Sequence, residues 1–167
     1  MAGLPSLLVV RTTTSAAIND SADTAVIFTA ATRNTGPASW WSAVTPTNIV
    51  MPYAGPYFVS LHLTWDTVVD VVTPSNPSRK ALHFANNNSI GSGDFQTGAG
   101  VDSLFATTAS AYCQVAEIIN VTTPGDIWQL VAWHNDADDS GTRTRTLTTR
   151  TGEVYAAMVG LVYLGDV

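Results

Sequence analysis

Residues Ile49 to Trp65, reading Ile-Val-Met-Pro-Tyr-Ala-Gly-Pro-Tyr-Phe-Val-Ser-Leu-His-Leu-Thr-Trp, constrain the fold more than any other stretch of this chain. Pro52, Ala54, Gly55 and Pro56 make a tight turn after a strand end. From Tyr57 onward the side chains alternate. Tyr57, Val59, Leu61, Leu63 and Trp65 fall on one face, and Phe58, Ser60, His62 and Thr64 on the other. A period of two is the signature of an antiparallel strand with one buried face. Helix signals are scarce elsewhere. Threonine, valine and tyrosine are frequent, and branched or bulky side chains pack well on a pleated surface. The pattern predicts an all-β chain.

Strands are expected near Leu7–Thr13, Thr24–Ala31, Asn48–Met51, Tyr57–Asp66, Lys80–Asn86, Ala109–Val121, Ile127–Asn135, Thr142–Thr149 and Glu153–Leu164. Regular spacing with turn signals between them points to a sandwich or barrel. Three loops are expected: Thr32–Ser39 leading into Trp40 and Trp41, Val68–Ser78 with Pro74 and Pro77, and the Gly- and Asn-rich Asn86–Gly100. Residues 1–15 read equally well as an N-terminal arm or as a first strand, with one domain over 16–167. No internal repeat or heptad seam is visible.

The 167 residues suit one domain with a proper core. Only 12% are charged, against about 25% in an ordinary globular protein. A surface so poor in charge is best hidden by self-association or by a larger assembly. The formal net charge is −6, with seven Lys and Arg. Nucleic-acid binding needs cations to replace phosphate counterions, so that class is set aside. Arg143, Arg145 and Arg150 are read as a solvated strand face. An acidic pI near 4.6 also disfavours anionic membranes.

Candidate chemistry fails residue by residue. Cys113 stands alone and reads as a small core residue. His62, His83 and His134 lack metal-ligand spacing, although His62 and His83 are expected on neighbouring strands. Asp136 to Gly141 has the glycine of a calcium loop. The twelfth position counted from Asp136 is Leu147, where a carboxylate is required, so a hairpin turn is the better reading and a calcium site of other geometry the alternative. No Gly-x-Ser-x-Gly or phosphate-binding Gly-rich loop occurs. The glutamates are Glu117 and Glu153, both on expected strands, and supply no glycosidase pair. No catalytic residue, metal site or cofactor is expected. Trp65, Trp128 and Trp133 read as core or interface residues. Of the adjacent pair Trp40 and Trp41, one is expected in the core and the other at an interface.

Several fixed points in order resemble the complement C1q / tumour-necrosis-factor jelly-roll domain. They are Ala25-Val-Ile-Phe-Thr, Ile49-Val-Met-Pro, Ala54-Gly-Pro-Tyr-Phe-Val-Ser, Pro124-Gly-Asp-Ile-Trp-Gln-Leu-Val-Ala-Trp and Tyr155-Ala-Ala-Met-Val-Gly-Leu-Val-Tyr-Leu-Gly165. The resemblance spans most of Ala16–Gly165. It implies a two-sheet antiparallel jelly-roll sandwich that assembles as a homotrimer. The implied trimer seam is Tyr57, Phe58, His62, Trp128, Leu130 and Tyr163, with Leu4, Leu7, Leu8, Trp40 and Trp41 as candidate partner-binding residues. The chain departs from vertebrate members in showing no collagen stalk, no signal peptide and no matching calcium ligands. Such versions look like virion proteins of tailed bacteriophages. The expectation is therefore a non-enzymatic decoration or cement protein on the outer surface of a phage head, made in the host cytoplasm, with itself and the major capsid protein as partners. A tail-fibre-tip adhesin that binds a host-surface glycan is the alternative.

Overall fold

The structure is a computed structural model that describes residues 4–19, 22–66, 78–86, 97–103, 112–135, 144–149 and 154–165. The described strands are β1 (Ser6–Arg11), β2 (Ile18–Asn19), β3 (Thr24–Ala25), β4 (Ala30–Asn34), β5 (Ile49–Val50), β6 (Gly55–Thr64), β7 (Ser78–Asn86), β8 (Thr97–Ser103), β9 (Tyr112–Val121), β10 (Ile127–Asn135), β11 (Thr144–Arg145) and β12 (Ala157–Tyr163). Among the described residues one 3-10 turn, Ala38–Trp40, interrupts them. All pairings among these strands are antiparallel.

Two sheets form the sandwich. One runs β4-β1-β12-β6-β9; the other runs β3-β10-β7-β8, with β5 also on β10. A two-stranded ribbon joins β11 to β2. Alternation along β6 decides which face is buried. Tyr57, Val59, Leu61 and Leu63 are fully buried and meet Leu82, Phe84, Trp128 and Leu130 from the second sheet. Filling the gap between two sheets with such residues is the main favourable term in folding a sandwich.

Several expectations change. The strand expected over Thr24–Ala31 divides between the sheets. Thr24–Ala25 pairs with β10 and Ala30–Asn34 with β1. Val26 and Phe28 cross the core between them, held by Val26 N–H to Leu130 O at 2.8 Å and Phe28 N–H to Pro46 O at 3.0 Å. Thr97–Gly100, expected in a loop, belongs to β8, because ladder pairing with β7 overrides the low strand propensity of glycine. Ser6–Arg11 is a strand paired on both sides, by β4 and β12. Of the expected strand Thr142–Thr149 the structure describes 144–149, and there only Thr144–Arg145 is a strand, with Arg145 buried rather than solvated. Arg143, Arg150 and the Asp136–Gly141 turn lie outside the described residues.

Two turns rest on glycine. Gly55 has φ 119° and opens β6; Gly125 has φ 90° and lets its N–H reach Met51 O at 2.7 Å. Both conformations lie in the left-handed region that side chains disfavour.

Candidate functional site

Among the described residues, the outer face of the five-stranded sheet carries several exposed or half-buried apolar side chains, while Val10 on the same face is fully covered. Register aligns its side chains in rows across the strands. Ser6, Val162, Phe58 and Ile118 form one row, Leu8, Gly160, Ser60 and Ala116 the next, and Val10, Met158, His62 and Gln114 a third. Phe58 is 41% exposed and Ile118 61%. Leu8, Met158 and Val162 are half-buried.

Past Leu8 the middle row is made of small residues, Gly160, Ser60 and Ala116, so the face is hollow there. A groove of about 190 Å³ runs between Leu8, Arg33, Phe58, Ser60, Gly160 and Val162. Gly160 forms its floor. A Cβ added at Gly160 would lie 3.7 Å from Leu8 Cδ1 and from Ser60 Cβ, which is ordinary contact. The hollow is therefore a property of sequence and not of a strained backbone. Towards the far end the face turns polar. The His62 ring sits 2.7 Å from Thr64 Oγ1 through Nε2 and stacks on Tyr112 with centroids 6.2 Å apart.

One end of the sandwich is closed by aromatics. Tyr57 lies 5.1 Å from Tyr163 and 6.3 Å from Trp40, and Tyr53 lies 4.8 Å from Tyr163, centroid to centroid. The Tyr57 hydroxyl donates to Tyr53 O at 2.9 Å and accepts from Tyr53 N–H at 3.1 Å. Tyr163 donates to Ala54 O at 3.1 Å. These bonds pin the Tyr53–Pro56 turn against the core. Burial pushes the Tyr57 hydroxyl up to about 12, against the opposing effect of its bond to the Tyr53 backbone.

At the other end Arg11 holds three carbonyls. Its Nε reaches Thr13 O at 2.9 Å, Nη1 reaches Ile27 O at 2.7 Å and Nη2 reaches Thr14 O at 2.6 Å. Burial lowers its pKa. The guanidinium is thus committed to backbone that crosses between the sheets.

The expected seam residues separate. Phe58 and His62 lie on the outer face of the five-stranded sheet. Tyr57, Trp128 and Leu130 point into the core and are covered by their own chain, so none of them offers surface to a partner. Tyr163 is half-buried in the aromatic cluster. Among the candidate partner-binding residues, Leu7 and Trp40 are core. Leu4 is 54% exposed. Leu8 is half-buried on the outer face, and Trp41 is half-buried with its Nε1–H on Pro46 O at 3.3 Å. Sequence reasoning missed Ile118, Met158, Gly160 and Val162. Each follows from register once Phe58 is placed outward.

His62 and His83 do not adjoin. β6 pairs with β12 and β9, whereas β7 pairs with β10 and β8, so the two histidines sit on different sheets. Burial lowers the His83 pKa, with Asp23 opposing. Among the described residues no group of three His, Cys, Asp or Glu stands together as a metal site. What the arrangement offers chemically is a grooved face with apolar side chains exposed on it.

No family model matches the chain, and no curated protein matches it in sequence. Solved structures do match in shape. The globular domain of zebrafish complement 1qA protein superposes with a TM-score of 0.59 at 10% identity, covering 99% of this chain and 100% of that one. Murine APRIL gives 0.59 at 13% identity, with 97% and 100% covered. The Eiger TNF of S. frugiperda gives 0.57 at 13% identity, with 98% and 94% covered. With superposition over nearly the whole of each chain, this chain has the jelly-roll fold seen in C1q and TNF domains.

Proposed function

We propose that this chain is a non-enzymatic homotrimeric structural protein, packed through the outer face of its five-stranded sheet, and that the trimer decorates the outside of a bacteriophage head. The observation that carries the trimer is that face: Phe58 and Ile118 exposed side by side, with Leu8, Val162 and Met158 half-buried beside them. Large apolar side chains in one contiguous patch mark an interaction surface. The low charge content favours the same reading.

The virion role rests on symmetry and surface chemistry. A three-fold assembly repeats one docking contact three times on a local three-fold position of an icosahedral shell. Three weak contacts then act at high effective concentration, so no single contact has to be strong. A net charge of −6 gives the particle an outer coat with little affinity for nucleic acid. The partner in this reading is the major capsid protein.

A fibre-tip adhesin is the second reading. It is favoured by half-buried Trp41, whose indole is the kind of ring that stacks against a glycan, next to a Ser42–Thr47 loop in which Val44 is 89% exposed. Two measurements test the proposal. Sedimentation equilibrium should give three times the 17.6 kDa chain mass, and a monomer in dilute buffer rejects the trimer. Purified protein added to empty phage shells should bind and raise their resistance to heat. Binding to cell-wall glycan without binding to shells favours the adhesin instead.

A further inference from the structure

We infer that the cleft where the chain crosses between the two sheets is a binding site for a small free monocarboxylate, held by the Arg11 guanidinium. The inference does not rest on the trimeric or virion reading above.

Parity explains why a cation is there. Arg11 ends β1 and continues the inward side of Leu7 and Val9, so its side chain enters the gap between the sheets and the residue is 9% exposed. A guanidinium keeps its charge at any ordinary pH. Burying that charge is costly unless hydrogen bonds and an opposite charge meet it. Its partners are the backbone carbonyls of Thr13, Ile27 and Thr14, all neutral. They take one N–H each from Nε, Nη1 and Nη2, which leaves one N–H on each Nη. Among the described residues no carboxylate pairs with Arg11, and burial alone accounts for its lowered pKa. Backbone dipoles therefore meet the charge, and no counter-ion does.

The cleft supplies room and walls. It measures about 50 Å³, and Arg11, Ala17, Ile18, Val26, Ile27 and Leu147 are among its lining residues. One water needs about 10–15 Å³, so a carboxylate with a one- or two-carbon tail fits. Ile18, Val26 and Leu147 are buried and give an apolar interior. Ala17 and Ile27 are exposed, so the mouth opens to solvent. One wall is tied in place: Ser15 N–H donates to Leu147 O at 2.9 Å, and Leu147 N–H donates to Ser15 Oγ at 2.8 Å. A monoanion balances one guanidinium, and its two oxygens suit paired N–H donors. Phosphate would carry a second charge into apolar surroundings with no second cation to meet it.

The test is a titration of the full chain with sodium propionate at constant ionic strength, followed by amide NMR. Saturable shifts are expected at Ile18, Val26, Ile27 and Leu147, with none from propionamide or inorganic phosphate. At ten times the half-saturating concentration Tm should rise by about 3–6 °C. Arg11→Lys keeps the charge but loses the fork, and Ala17→Phe obstructs the mouth from an exposed position. Each should weaken binding about tenfold or more, and Ala17→Phe should keep the parent circular dichroism spectrum. No saturable shift with propionate overturns the site, as do equal shifts with propionamide or with phosphate. A folded Ala17→Phe protein that binds propionate as the parent does also overturns it. A monomeric parent that binds propionate rejects the trimer and leaves this site standing.

Discussion

Replacing Gly36 by alanine should destabilise the chain out of proportion to one methyl group. A Cβ at Gly36 would lie 2.5 Å from both Cε3 and Cζ3 of Trp40, while Pro5 Cβ is 3.6 Å away. Real Cβ contacts do not approach so closely, so either the indole or the Asn34–Pro37 backbone must move. Trp40 has no room to yield. It is fully buried, seated edge-on against Tyr57, and part of the core cluster. The backbone is also tethered, because Gly36 N–H donates to Asn34 Oδ1 at 3.1 Å and Thr35 N–H to Ser6 O at 2.9 Å. Overpacking of this kind costs about 1–3 kcal/mol. For a chain of this length each kcal/mol lowers Tm by about 2–4 °C, so a drop of about 2–12 °C is expected. Thermal melts followed by near-ultraviolet circular dichroism measure it. Trp40→Phe removes both clashing atoms, so in the double variant the penalty of Gly36→Ala should largely vanish, giving a coupling energy of about 1 kcal/mol or more. A Gly36→Ala protein that melts with the parent, or additive effects in the double variant, refutes the packing described for Trp40. It would also reopen Trp40 as a residue free to meet a partner.

Other consequences can be measured on the same protein. Tyr57→Phe strips both bonds from the Tyr53 backbone and should cost about 1–3 kcal/mol in urea unfolding. The raised Tyr57 pKa adds a pH signature: the folded state keeps the hydroxyl proton where the unfolded chain loses it, so stability present below pH 10 declines between 10 and about 12, and Tyr57→Phe should remove that part of the decline. His83 works at the other end of the scale. Its lowered pKa means that the unfolded chain takes up a proton first, so stability is lost as pH falls below about 6.5, and His83→Gln should flatten the profile there. Arg11→Met leaves the carbonyls of Thr13, Thr14 and Ile27 without their donor, and should lower the unfolding free energy by about 2–4 kcal/mol.

Strands longer than about six residues were legible where one face is buried and the other wet. The inward set on β6 is the one its alternation names, and Ile127–Asn135 has the bounds expected from sequence although it is buried on both faces along Trp128–Ala132. Short strands were not legible. Ile18–Asn19 and Thr24–Ala25 have two residues each, too few to show a period, and exist because a partner strand offers a ladder. β8 carries Gly98 and Gly100, which local preference assigns to a turn. Arg145 shows the same limit in charge. A cation among threonines reads as surface, yet its position opposite Ile18 in the β2–β11 ribbon buries it.

The candidate face was half legible, for a reason that concerns interfaces in general. Apolar content alone does not separate residues that fill a core from residues that meet a partner, because both are driven from water by the same free energy. Trp128, Leu130 and Phe58 are equally apolar in the sequence, and only parity within a sheet tells them apart. Parity is readable on β6 because its outward residues include Ser60 and His62. On β12 it is obscured, since Met158 and Val162 face outward with the apolarity of Val159 and Leu161 facing inward. A strand apolar on both faces inside an antiparallel sheet is itself a signal. One face belongs to the core, and the other needs a cover that this chain's second sheet, on the opposite side, does not provide. Gly160 is among the residues that turn that outer face from flat to hollow, and it is visible in the sequence only as a gap in an otherwise apolar run.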